Sequence, residues 1–300
     1  MIHRFLDYTE IRTKITSVFA FLMTIALLFF HGQRINWELT FVFFASMFLF
    51  DLTTTAINNY IDTRTNGQKL QFERKKAFAI IAVLFVLSAA LGFYLVIRTD
   101  IVVLLAGGLC FLCGVLYTGG PAPISRLPLG EALSGIFYGL LLPFILLYIN
   151  LPPGTILTLR LIPQILEISL QIAPAAALVL FSLIPVCTTA NIMLANNICD
   201  LQKDIMVNRY TLPYYLGKKA LYLFAGLYYA TYLAAVALVV FKIFPPLCLA
   251  FLLTIVPVQK NINIFLKRQD KAATFVCAIK NYVIIMGSLT LLIFTGGLLI

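Results

Sequence analysis

Nine apolar stretches, each long enough to cross about 30 Å of hydrocarbon, decide what this chain can fold into. They lie near 15–33, 39–61, 77–97, 100–117, 131–149, 172–199, 219–241, 243–259 and 274–298. In lipid every backbone N–H and C=O must be satisfied within the segment, so stretches of this kind become helices. Composition agrees: 61% of residues are hydrophobic and 11% are charged, against about 25% charged in a soluble domain. The expected fold is all-α: one polytopic transmembrane domain over 1–300, a bundle of nine helices in a lipid bilayer. The first stretch follows Arg4, Asp7, Glu10, Arg12 and Lys14 and has no small-residue cleavage site after it. It reads as the first membrane helix, not a cleaved signal.

An odd number of helices puts the termini on opposite faces. One face takes the N-terminus and the loops 62–76, 118–130, 200–218 and 260–273. With Lys280 just beyond, it carries 18 Lys and Arg, against 4 on the other face (Arg34, Arg98, Arg160 and Lys242). Cytoplasmic loops concentrate Lys and Arg, so that face, with the N-terminus, is expected to be cytoplasmic, and the C-terminus to lie opposite. The net charge of +10 is then a property of loops, and no nucleic-acid partner is expected. No obligate protein partner is expected either.

Six cysteines lie in or beside apolar segments and imply no disulfide framework. Cys110 and Cys113 form a C-x-x-C, but inside an apolar helix, where packing is the simpler role. His3 and His31 suggest no zinc site.

One pentapeptide pattern occurs twice. Asn58-Asn59-Tyr60-Ile61-Asp62 ends the second stretch, and Asn196-Asn197-Ile198-Cys199-Asp200 ends the sixth and continues to Asp204. Both fall on the cytoplasmic side. Residues four apart share a helix face and rise about 6 Å per step, so each motif presents a short oxygen-rich strip. Asn and Asp at an interface also simply close helices. The shared spacing, the shared face and the adjacent basic residues favour a site for Mg²⁺ held with a substrate phosphate. Asn58, Asp62, Asn196, Asp200 and Asp204 are the metal-ligand candidates, with Asp62, Asp200 and Asp204 carrying the chemistry. No Cys/His cluster competes for a softer metal. Arg64, Lys69, Lys203 and Arg209 lie nearby as diphosphate partners, Arg209 being suited to a bidentate contact. Lys75, Lys76, Lys218 and Lys219 read as solvated charge.

Tyr117 opens Tyr117-Thr118-Gly119-Gly120-Pro121-Ala122-Pro123-Ile124 on the same face, either as a substrate contact or as an interfacial aromatic. Asp51 lies eleven residues before Asp62, about 16 Å deeper along a helix. An acid at that depth is costly. It faces either an acceptor substrate, beside Asn191 of the other helix, or a partner helix. The stretches 53–57 (Thr-Thr-Thr-Ala-Ile) and 188–192 (Thr-Thr-Ala-Asn-Ile) are alike, consistent with a duplicated helical unit.

At these residues the chain resembles the UbiA-type intramembrane aromatic prenyltransferases over nearly its full length, and most of all their 1,4-dihydroxy-2-naphthoate branch of menaquinone synthesis. The run Tyr117 to Ile124, continuing through Pro128-Leu129-Gly130-Glu131 to Ser134-Gly135, is similar to that branch's Y-T-G-G-P-x-P-I … P-x-G-E-x-x-S-G. The stretch Asn196 to Asp204, then Thr211-Leu212 and Leu216-Gly217, is similar to N-N-x-R-D-x-x-x-D … T-L … L-G. The resemblance implies Mg²⁺-dependent transfer of a polyprenyl chain from its diphosphate to an aromatic carbon, with Arg126 among the diphosphate partners. The implied acceptor is the naphthoate; 4-hydroxybenzoate, a haem or another quinone precursor is the alternative. The chain departs from the family where Asn59 replaces the usual Asp, where no Asp follows Asp62 in its loop (Asn66 takes the next four-residue position), where Cys199 replaces Arg and where Arg209-Tyr210 replaces Lys-Arg. From the residues alone, a cation-coupled transporter is the competing class; its sites usually lie at the midplane, whereas most acids here lie at one interface.

Overall fold

In a computed structural model, residues 1–64, 69–119 and 123–299 are described. Among them nine helices are long and apolar enough to span a membrane: α1 Ile11–Phe30, α2 Trp37–Asp62, α3 Arg74–Arg98, α4 Ile101–Thr118, α5 Gly130–Tyr148, α6 Ile172–Met206, α7 Lys219–Val240, α8 Pro246–Lys267 and α9 Val276–Leu298. The protein is thus an all-α, multi-pass membrane protein, as its apolar stretches demand. Caps set some of the starts: Asn36 accepts from Leu39 N at 3.2 Å before α2, and Asp100 accepts from Val102 N at 2.8 Å before α4, each satisfying an otherwise orphaned N–H.

The chain groups into two compact units. The first comprises Met1–Val18, Asn36–Ile124 and Leu159–Glu167 and holds α2, α3 and α4. Ser46 Oγ donates to Ser88 O at 2.8 Å between α2 and α3. The rings of Phe50 (α2) and Phe111 (α4) stack at 3.9 Å. Gly114 lets α4 approach, since a Cβ there would lie 2.6 Å from Phe50. The second unit comprises Phe19–Ile35, Ser125–Thr158 and Ile168–Ile300 and holds α5 to α9. In α5 a π-helical turn, Phe137–Leu141, precedes Pro143. It brings Gly139 against the backbone of Val186, just after Pro185 of α6, so closely that a Cβ would collide.

Three features differ from the expectation. Helix α6 does not stop near residue 199 but runs 35 residues to Met206, about 52 Å at 1.5 Å per residue. Leu201, Gln202, Lys203 and Met206 are good helix formers, and the turn comes only at Asn208, with φ +55°. Asp200 and Asp204 therefore sit on helix, not loop. Helix α8 begins at Pro246 with nine residues of 3₁₀-helix, Pro246–Thr254, and extends to Lys267. Between α5 and α6, where no element was expected, lies a hairpin of β1 Leu157–Ile162 and β2 Ile165–Leu170. Pro163-Gln164 turns it, with Gln164 at φ +72°, and Gln171 N donates to Ile156 O at 2.9 Å at its base.

Candidate active site

In the first unit, α2 carries the first motif past a buried ion pair. Lys14, at the start of α1, places Nζ 2.8 Å from Asp51 Oδ1, 2.9 Å from Asp51 O and 2.5 Å from Thr55 Oγ1. Ser17 Oγ donates to Asp51 Oδ2 at 2.7 Å. The Lys14 and Asp51 side chains are only 4% and 5% exposed. Of the two readings of Asp51, its carboxylate here has the helix partner. Two turns on, Asn58 Oδ1 accepts from Thr118 Oγ1, so the first motif touches the residue after Tyr117, itself half-buried. Asn59 Nδ2 donates to Tyr8 O at 2.9 Å and to Glu10 Oε1 at 3.3 Å, so this amide pins the N-terminal segment. Asp62, the last residue of α2, is exposed, as are Arg64 and Lys69. Arg64 and Arg74 both lie over the Tyr60 ring at 5.3 Å. Asn66, Gly120, Pro121 and Ala122 lie outside the described residues.

In the second unit, α6 carries the second motif. Lys271, from the turn between α8 and α9, contacts Asn196 Oδ1 and lies 2.5 Å from Asp200 Oδ2. Two oxygens from residues four apart thus converge on one positive charge. The ammonium stands where a cation would be held, and an acid plus an amide oxygen is the hard donor set Mg²⁺ takes. Asp204 points elsewhere: its Oδ1 lies 3.8 Å from Arg209 Nη1. Arg209 also donates from Nε to Ser125 O at 2.8 Å, and Tyr210 N donates to Arg126 O at 3.2 Å. These contacts tie the segment after α6 to the segment before α5. Lys203 and the Arg126 side chain are exposed. Asn197 is buried and donates to Glu131 Oε1 at 2.9 Å. Deeper in α6, Asn191 Nδ2 donates to Phe224 O at 3.0 Å, and its Oδ1 is buried without a hydrogen-bond partner among the described residues.

The turn bearing Lys271 is ordered by Asp270. Its Oδ1 accepts from Ala272 N at 2.9 Å and Ala273 N at 2.8 Å, and its Oδ2 from Arg268 Nη2 at 2.8 Å. The Ala273 N–H first, then the Arg268 guanidinium, hold this carboxyl below the usual Asp range.

Among the described residues no three His, Cys, Asp or Glu side chains gather as a metal cluster. Asp62 belongs to the first unit, and Asp200 and Asp204 belong to the second.

Residues 18–283 match the profile of the UbiA prenyltransferase family. The chain belongs to that family. Over 171 residues it is 32% identical to a 1,4-dihydroxy-2-naphthoate octaprenyltransferase of Bacillus subtilis (strain 168). That match takes in 56% of this chain and 49% of the relative, so the chain spans about half the length of the curated protein it matches. Two solved structures share the fold. A UbiA homolog from Aeropyrum pernix K1 superposes with TM-score 0.67 at 16% identity, covering 93% of this chain and 97% of that one. A UbiA homolog from Archaeoglobus fulgidus, bound to DMAPP and Mg²⁺, superposes with TM-score 0.62 at 14% identity, covering 99% and 100%.

In this UbiA-family chain three residues carry no site signal in the sequence: Lys271 lies in a basic loop, Lys14 among the charges before the first apolar stretch, and Glu131 within the Gly130-Glu131 motif. Each gains meaning from a partner distant in sequence, a signal that spacing does not carry.

Proposed function

We propose that this chain transfers a polyprenyl group from its diphosphate to an aromatic acceptor, 1,4-dihydroxy-2-naphthoate, with Mg²⁺ as cofactor. The observation that carries the reading is the convergence of Asn196 and Asp200 of the second motif on a single cation, in a chain of the UbiA prenyltransferase family. The repeated first motif supports including Asn58 and Asp62 among the proposed ligands, together with Asp204, in one domain over 1–300. Mg²⁺ uses one or two carboxylates and completes its shell with substrate phosphate and water, so the five residues suffice. The B. subtilis relative and the DMAPP- and Mg²⁺-bound A. fulgidus homolog support the donor, the metal and the acceptor class.

When bound, Mg²⁺ supplies Lewis-acid stabilisation of the leaving diphosphate. The chain's own residues do the rest. Arg209, Lys203, Arg64, Lys69 and Arg126 neutralise the diphosphate, Arg209 with a planar fork that matches phosphate oxygens. Tyr117 offers its hydroxyl to the donor head group. Asn191 Oδ1, buried and lacking a partner among the described residues, accepts from an acceptor hydroxyl. Asp51, held in place by Lys14, is the other acceptor-pocket candidate. The apolar helices exclude water, so the allylic carbon meets the aromatic ring first. The excess of basic residues beside the motifs supports a cytoplasmic N-terminus, a cytoplasmic active face and a C-terminus on the opposite side.

The test is incorporation of a radiolabelled prenyl diphosphate into a panel of acceptors by purified protein with Mg²⁺. The proposal expects prenylated naphthoate as the main product. Preferred use of 4-hydroxybenzoate reassigns the acceptor. No transfer to any acceptor, with solute uptake in liposomes, reverses the reading to a transporter.

A further inference from the structure

We propose that Lys271 is a resident counter-cation of the α6 site, occupying Asn196 and Asp200 until the metal arrives together with diphosphate. This rests on the metal–diphosphate reading above and concerns how that site is loaded. Lys271 Nζ contacts Asn196 Oδ1 and Asp200 Oδ2 and lies 4.8 Å from the centre of the Phe275 ring. It takes the two oxygens that a divalent ion would need. Mg²⁺ binds oxygen at about 2.0–2.1 Å in an octahedral shell, and an ammonium hydrogen-bonded to the same atoms leaves no room for it. Occupancy by one excludes the other.

Charge sets the order of events. Asp204 is engaged by Arg209, so the Asn196–Asp200 pair presents one negative charge, and Lys271 already balances it. A bare divalent ion arriving there would set three positive charges against that one carboxylate. A metal already complexed to a diphosphate brings its own negative charge, and its phosphate oxygens give the displaced ammonium a new partner. The device suits exchange. The Lys271 side chain is 39% exposed and that of Asp200 is 21% exposed, so the contact opens to water without unpacking a core. The backbone of the turn is pinned separately: Asp270 accepts from Ala272 N and Ala273 N, and Thr274 Oγ1 donates to Arg268 O at 2.9 Å. Only the lysine side chain has to move. Free metal is thereby kept from loading without substrate, and Asp200 is held in place until both are present.

The experiment titrates Mn²⁺, by electron paramagnetic resonance, into full-length protein in nanodiscs, with and without inorganic pyrophosphate. Wild type, Lys271→Met, Lys271→Gln and Asp200→Asn are compared. Lys271→Met is expected to bind Mn²⁺ alone about tenfold more tightly, the factor released when a competitor holding about nine sites in ten is removed. Lys271→Gln moves the same way and guards against a packing effect of the methionine. Pyrophosphate is expected to tighten Mn²⁺ binding strongly in wild type and less in either Lys271 variant. If Asp200→Asn loses Mn²⁺ while both Lys271 variants bind it no more tightly than wild type, the counter-cation role is overturned and the metal site stands. If no variant, wild type included, binds Mn²⁺ even with pyrophosphate, the metal reading itself fails and the inference falls with it.

Discussion

The buried Lys14–Asp51 pair makes a quantitative prediction about stability. Replacing Lys14 with Met removes an ammonium that contacts Asp51 Oδ1, Asp51 O and Thr55 Oγ1 within 2.9 Å. Asp51 keeps the Ser17 hydroxyl but loses the ammonium, with its side chain only 5% exposed. Removing one partner of a buried pair costs about 3–5 kcal/mol, because a desolvated charge loses its counter-ion. Asp51→Asn is the milder change, near the lower end of that range, since the ammonium keeps the residue-51 carbonyl and Thr55. That loss is a large part of the roughly 5–15 kcal/mol that holds a folded domain together. The double variant Lys14→Met/Asp51→Asn strands no charge, so its cost falls well short of the sum of the singles. The assay is equilibrium unfolding in mixed micelles, run as a double-mutant cycle. The exposed Arg98–Glu38 pair, with side chains 46% and 53% exposed, serves as a control expected to show far weaker coupling. Strictly additive losses, or a Lys14→Met loss below about 1 kcal/mol, would refute the reasoning.

Other outcomes follow from the same geometry. Gly139→Ala forces a Cβ into the Val186 backbone and is expected to destabilise by about 1–3 kcal/mol, read as a lower unfolding midpoint; an unchanged midpoint means the α5–α6 approach is looser than described. Arg209→Lys keeps the charge but not the fork that reaches both Ser125 O and Asp204, and is expected to raise KM for the prenyl diphosphate about tenfold with the acceptor KM unmoved. Asp270, held below its usual pKa by Ala273 N–H and Arg268, stabilises its turn fully above the unfolded Asp value of about 3.9; that contribution disappears as pH falls through the lowered folded value. Amide exchange at Ala272 and Ala273, corrected for the intrinsic pH dependence, should therefore lose protection on acidification and should be insensitive to pH in Asp270→Asn.

The membrane architecture was legible because lipid leaves an apolar stretch one option, and length sufficed to place the nine long apolar helices found among the described residues. The end of α6 was not. Asp200, Lys203 and Asp204 look like loop by polarity, yet they continue a helix because nothing before Asn208 breaks it. The β1–β2 hairpin was missed between two strong helical signals, although Leu157 and Leu159 alternate with Thr158 and Arg160, and Leu166, Ile168 and Leu170 alternate with Glu167 and Ser169, the period of a strand. At the candidate site, the shared N-N-x-x-D spacing, with the basic residues beside it, singles out the residues proposed to carry the chemistry. Their neighbours were hidden. Nothing in a one-dimensional reading joins Lys271 to Asp200, Glu131 to Asn197 or Lys14 to Asp51, because each pair is made by folding.

The central proposal is that both motifs, one on α2 and one on α6, act on the metal-bound diphosphate during turnover. Its most direct test is the Mg²⁺ dependence of prenyl transfer in Asp62→Asn and in Asp200→Asn, measured on protein shown to be folded and membrane-inserted. The account predicts that each substitution alone lowers turnover on the order of 10²–10³-fold and shifts the Mg²⁺ requirement upward. Turnover and Mg²⁺ dependence left at wild-type values by Asp62→Asn, while Asp200→Asn is inactive, would contradict it by confining the chemistry to α6.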